Sequence, residues 1–171
     1  MNSKFKSRAM GLIFSVVSLL VAGPIFAAPS AQHEKQQSAI AEQLDQFHQT
    51  AANADGETYF NLFSKDGVFI GTDASERWTL DAFKKFAEPY FSQGKGWTYV
   101  PRDRTIVVHG DVAWFDELLD SESYGECRGS GVLVKENGQW KIAQYNLHFP
   151  IPNDLAKQIT QMIKAHASKD G

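Results

Sequence analysis

Residues 97–149 read WTYVPRDRTIVVHGDVAWFDELLDSESYGECRGSGVLVKENGQWKIAQYNLHF, and this stretch decides the fold. Apolar residues recur in it at about every second position, the period of a strand with one buried face. Two turn signals break the alternation, His109-Gly110-Asp111 and Glu136-Asn137-Gly138. The Asn-Gly pair supplies the left-handed residues that a tight hairpin needs. Four consecutive strands are therefore predicted, at roughly 97–109, 112–120, 125–135 and 139–149. Pro150 and Pro152 lack a backbone donor and stop the last one.

On either side of this stretch the period changes to 3.6. Upstream, Ile40, Leu44, Phe47 and Ala51 form one apolar stripe, and Asp55-Gly56 ends that helix. A short second helix carries Tyr59, Phe60 and Phe63; Lys65-Asp66-Gly67 turns the chain into a short strand, Val68-Phe69-Ile70. Thr79 is placed to cap a third helix with Leu80, Phe83, Phe86 and Ala87, which Pro89 should kink or end. Downstream, Asn153 or Asp154 caps a last helix predicted to turn Leu155, Ile159, Met162 and Ile163 inward. Helices segregated ahead of an antiparallel meander make an α+β fold. A strongly curved antiparallel sheet wrapped around the N-terminal helices, with an added C-terminal helix, leaves a cavity between the layers.

The beginning of the 171-residue chain has the order of an export signal. Lys4, Lys6 and Arg8 precede a mostly apolar run from Ala9 to Ala22, Gly23-Pro24 breaks it, and Ala27-Ala28 offers small residues for cleavage. The run is shorter than the ~20 residues that span a bilayer. The reading divides the chain into a signal peptide at 1–28, a flexible tether at 29–37 and one domain at 38–168, with a periplasmic or secreted destination. Cleavage removes three of 17 basic side chains and none of the 20 acidic ones, so the net charge moves from −3 to −6. No basic run or basic helix face is present, which excludes nucleic acid as an expected partner. No further hydrophobic span follows, so no membrane partner is expected after cleavage. The single cysteine, Cys127, cannot form an internal disulfide, and stability must come from a core rich in Trp, Tyr and Phe.

The order of elements resembles the SnoaL-like (nuclear-transport-factor-2-like) superfamily. The resemblance rests on the opening amphipathic helix, on Tyr59-Phe60-Asn61-Leu62-Phe63 followed by Asp66-Gly67-Val68-Phe69-Ile70, on Gly110-Asp111-Val112-Ala113-Trp114, and on Gly131-Val132-Leu133-Val134 with Gly138-Gln139-Trp140-Lys141-Ile142. It implies a small cone of curved sheet closed by helices. It does not imply one chemistry, because such domains include isomerases, cyclases, dehydratases, binding modules and assembly domains.

Strand parity proposes which side chains face the cavity. If Lys141 faces solvent, Trp140, Ile142, Gln144, Asn146 and His148 face in. If Lys135 faces solvent, Val134, Val132, Ser130 and Arg128 face in, unless Gly129 or Gly131 hosts a bulge. In the second strand Trp114 and Asp116 are taken as inward. Asp116 and His148 are then candidate acid–base groups. Asp73, Trp78, Tyr90, Trp97, Trp114, Arg128 and Gln144 are candidate ligand contacts, with Arg128 balanced by Asp116 or Glu117. The competing reading of that pair is a structural ion pair fixing the sheet register. The sequence holds no metal-ligand spacing, no glycine-rich phosphate loop and no nucleophile elbow, and no metal or cofactor is expected. The leading expectation is a pocket for a small apolar or ring-bearing molecule. The alternative is a small isomerase, cyclase or dehydratase in which Asp116 or His148 works with Arg128. A homodimer through an outer face of Phe115, Tyr145, Leu147 and Phe149 is compatible with both.

Overall fold

The computed structural model describes residues 31–168. The expected signal peptide lies outside the described residues. Helix α1 (Ala31–Ala52) begins inside the segment expected to be a tether, so residues 31–37 extend the helix. Its predicted stripe is buried in full, and His48 is buried with it. Helix α2 (Gly56–Asn61) starts at Asp55, whose carboxylate accepts the Thr58 amide. Strand β1 (Phe63–Ile70) is longer than its apolar triplet suggested, and a short strand not anticipated, β2 (Arg77–Thr79), pairs with it. Helix α3 (Leu80–Phe91) is capped by the Thr79 hydroxyl and runs two residues beyond Pro89.

The four predicted strands are β3 (Val100–His109), β4 (Val112–Ser121), β5 (Gly125–Glu136) and β6 (Gln139–His148). The six strands form one curved sheet in the order β2-β1-β6-β5-β4-β3. Its pairs are antiparallel except β1 with β6, which run parallel. Helices α1 to α3 fill the concave side. Ile40, Leu44, Phe47 and Ala51 meet Ala113, Phe115, Leu119, Leu133, Ile142 and Tyr145 in one core. Helix α4 (Ala156–Ala167) corrects an expectation: none of its side chains is buried, and Leu155, Met162 and Ile163 are exposed rather than inward.

Candidate functional site

Of the three parity arguments, those for β4 and β5 fail in the structure and that for β6 fails beyond Ala143, each for a local reason. Along β4 the inward residues are Ala113, Phe115, Glu117 and Leu119, not Trp114 and Asp116. A glutamate on the concave face looks improbable from the strand alone. It is permitted because α1 brings it a histidine donor, His48, and β3 an arginine, Arg104. Along β5 the inward residues are Cys127, Gly129 and Leu133. Lys135 is a poor marker of the wet face there, because its long stem carries Nζ over the Trp140 ring at 5.8 Å. Along β6, Trp140 and Ile142 do face inward as expected. The register then shifts by one residue at Ala143, since Val132 pairs with Gln144 but Leu133 pairs with Ile142. That bulge swaps the faces beyond it. Tyr145 and Leu147 become buried, and Gln144, Asn146 and His148 turn to the convex side.

What the concave side holds is a polar cluster under an aromatic cavity. Glu117 is 0% exposed. Its Oε1 accepts from His48 Nε2 at 2.7 Å and from the Tyr145 hydroxyl at 3.2 Å. Its Oε2 accepts from Arg104 Nε at 2.7 Å. Arg104 Nη1 continues to Asp45 at 2.8 Å and to the Ala41 carbonyl at 3.1 Å, tying β3 and β4 to α1. Burial pushes the Glu117 carboxyl up, but His48 and Arg104 outweigh burial and hold it below the usual carboxylate range. Burial pulls the Arg104 guanidinium down, and Glu117 and Asp45 more than restore it. Burial, then the Glu117 charge, pushes the Tyr145 phenol well above its usual value, so it remains a donor. Gly129 makes this contact possible. A Cβ there would stand 2.2 Å from the Tyr145 hydroxyl and 3.1 Å from Glu117 Oε1.

The cavity above the cluster has a volume of about 250 Å³. Its wall is largely aromatic: Phe69, Trp78, Phe83, Phe86, Trp97, Tyr99, Tyr124 and Phe149, with Leu147 and Glu76. Phe69 stacks on Phe83 at 4.2 Å, and Tyr124 meets Phe149 at 5.2 Å. Phe69, Trp97, Tyr99 and Leu147 also line a narrower chamber of about 10 Å³, which reaches His48, Tyr59 and Tyr145. Tyr59 is 0% exposed, stacks on Phe47 at 4.8 Å, and is ringed edge-on by Phe60, Phe63, Phe91 and Trp97. Its hydroxyl proton is buried without an acceptor, a condition that costs about 1–3 kcal/mol. Burial pushes its phenol well above the usual value and keeps it protonated. Among the described residues no group of His, Cys, Asp and Glu could hold a metal ion.

A curved sheet closed by three helices over such a cavity is a known architecture, and the sequence agrees. The SnoaL-like domain family matches residues 40–152. The chain belongs to that family. Among curated proteins none matches. Similar solved structures include an NTF2-like protein of unknown function from Pseudomonas putida, 17% identical, covering 71% of this chain and 91% of that one with a TM-score of 0.60. A Mycobacterium tuberculosis protein of unknown function is 20% identical, covers 76% and 80%, and has a TM-score of 0.61. A Novosphingobium aromaticivorans protein provisionally named a scytalone dehydratase is 18% identical, covers 69% and 86%, and has a TM-score of 0.59. Identities this low establish the shared fold alone.

In this SnoaL-like domain the sequence-predicted residues separate into three groups. Trp78 and Trp97 line the cavity. Tyr90 lies 5.6 Å from Phe86 outside the cavity wall, and Asp73 is exposed, its carboxylate engaged by the Ser75 amide at 2.8 Å. Those Ser75 hydrogen bonds hold Asp73 below the usual range. Trp114, Asp116, Arg128, Gln144 and His148 lie on the convex face, away from the cavity. Asp116 pairs across the sheet with Ser130 and Arg128 with Leu118, and no ion pair joins the two charged residues. His148 sits opposite Arg128, and burial, then that charge, holds its imidazole below its usual value. Sequence reasoning missed His48, Tyr59 and Arg104, and weighed Glu117 only as a partner for Arg128, whereas its partners are His48, Arg104 and Tyr145. His48 had a signal: it lies one residue from Phe47 and four from Leu44, within the arc of the buried stripe.

Proposed function

We propose that this protein binds a small ring-bearing molecule in the aromatic cavity. The carrying observation is the wall: eight aromatic rings around a space suited to one or two fused rings, at the small end of ligand pockets. Flat apolar faces offer dispersion and burial without demanding charge from the ligand. The deep carboxylate supports binding over chemistry, because Glu117 already takes three protein hydrogen bonds. The test is mass spectrometry of small molecules retained from the extract of the source cells. Thr72 is an exposed residue of the cavity mouth, so Thr72→Trp should block entry without disturbing the core. Ring-bearing compounds retained by wild type and lost in that variant support the reading; equal retention, or none, sinks it.

One observation favours a second reading, acid–base catalysis of the dehydratase or isomerase type. His48 lines the inner chamber with Nε2 held by a buried carboxylate. That leaves Nδ1 to take a proton from the carbon beside a ligand carbonyl and return it elsewhere on the molecule, while Glu117 steadies the imidazolium. Loss of deuterium from α-deuterated 2-tetralone, abolished by His48→Gln, would establish this reading; exchange at the solvent rate in wild type would reject it.

The export signal at 1–28 remains part of the proposal, motivated by its charge and hydropathy order; an intact mass lacking those residues tests it. Self-association is also proposed, through other residues than those first expected. Tyr145 and Leu147 are buried, whereas Val107, Val112 and Trp114 are 37%, 43% and 48% exposed on the convex face. A contiguous apolar patch of this kind favours a partner surface. Trp114→Arg should turn a dimer into a monomer in sedimentation, and a monomeric wild type at micromolar concentration removes the idea.

A further inference from the structure

We propose that the cavity takes its ligand oxygen-first, with a neutral carbonyl or hydroxyl oxygen reaching the inner chamber and accepting a hydrogen bond from Tyr59. The inference rests on the binding reading above and narrows it to cyclic ketones and phenols. Three features of the chamber lead there. Its volume of about 10 Å³ admits one water-sized polar atom and no ring. Its one fully buried donor without a protein acceptor is the Tyr59 hydroxyl. The neighbouring phenol, Tyr145, already donates its hydrogen bond to Glu117. The Trp97 indole N–H approaches the Tyr59 hydroxyl as a donor, so it leaves the hydroxyl proton without an acceptor.

Charge sets the rest of the selection. Burial keeps both phenols protonated, so the chamber offers a neutral donor. The Glu117 carboxylate lies directly behind Tyr145 and His48. A carboxylate or phosphate pressed into the chamber would face that charge at close range, and the nearest guanidinium, Arg104, is already committed to Glu117 and Asp45. A neutral oxygen meets no such repulsion. A ring attached to that oxygen then lies between Phe69 and Trp97, which line chamber and cavity alike. Recognition by a buried donor discriminates strongly against an analogue lacking the acceptor, because the donor is then left unpaired.

The test compares 2-naphthol with its methyl isostere, 2-methylnaphthalene, by quenching of tryptophan fluorescence in the full chain. Tyr59→Phe should weaken 2-naphthol about tenfold, the effect of one hydrogen bond in a dry site, and leave 2-methylnaphthalene within about twofold. A second measurement needs no substitution: the ¹³Cζ resonance of Tyr59 in wild-type protein should shift with 2-naphthol and not with 2-methylnaphthalene. If both probes bind but the resonance and the selectivity do not respond, the oxygen-first placement is wrong and the cavity reading stands. If neither probe binds, the cavity reading fails and this inference falls with it.

Discussion

Replacing Glu117 by leucine probes the polar cluster that supports the cavity floor. The glutamate is fully buried, and the substitution strips an acceptor from three donors: His48 Nε2, the Tyr145 hydroxyl and Arg104 Nε. Arg104 retains Asp45 and the Ala41 carbonyl, but Asp45 is largely solvent-exposed and its attraction is screened. Removing one partner of a buried ion pair costs about 3–5 kcal/mol, because the remaining charge stays desolvated. Melting should fall by roughly 10–20 °C for a domain of this size. Arg104→Met should cost less, since Glu117 then keeps His48 and Tyr145. Glu117→Gln, which preserves shape and one acceptor, should fall between about 1.5 and 3 kcal/mol. Urea unfolding followed by tryptophan fluorescence and circular dichroism measures all three. A Glu117→Leu protein within about 1 kcal/mol of wild type, with an unchanged denaturant slope, would refute the claim that this cluster holds α1 to the sheet.

Acid should expose the same group. The folded carboxyl lies below its ordinary value of 4.5, so its contribution is complete above that value and is lost as pH falls through the lower folded one. Wild type should therefore lose stability more steeply than Glu117→Gln below about pH 4.5, as read from melting temperatures across pH 3–6. Gly129→Ala should destabilise by about 1–3 kcal/mol, because the added methyl would collide with the Tyr145 hydroxyl; chemical denaturation checks it. Arg128→Ala and Asp116→Ala should each stay within about 0.5 kcal/mol of wild type, since both side chains are exposed on the convex face, and a larger loss by either would reinstate a paired, inward arrangement.

Element order was legible in the sequence because it depends on periodicity and turn chemistry. The Asn137-Gly138 hairpin, the Thr79 cap and the Ile40/Leu44/Phe47/Ala51 stripe all stand where they were expected. Side-chain facing was not legible in the same way. It required a count of residues along each strand, and a single bulge at Ala143 inverted half of β6. Trp114 and Phe115 offer β4 two equally apolar faces, so the strand alone does not choose. The choice is made by His48 on α1 and Arg104 on β3, 69 and 13 residues from Glu117 in the chain. A buried carboxylate compensated by such distant partners has no local signature. Trp78 and Trp97 were recoverable because they lie on β2 and on the segment before β3, outside the part of β6 whose facing the bulge inverts.

The four tryptophans make the most direct test of the cavity as the binding site. Trp78 and Trp97 line it, Trp114 lies exposed on the convex face, and Trp140 packs against Lys135 and the core away from it. Each indole N–H gives one resolvable NMR signal, followed here through a titration with 2-naphthol. The structure predicts that the Trp78 and Trp97 signals move together along one binding curve while those of Trp114 and Trp140 stay in place. Saturable movement of Trp114 with a still Trp78 and Trp97 would put the ligand on the convex face and contradict the account.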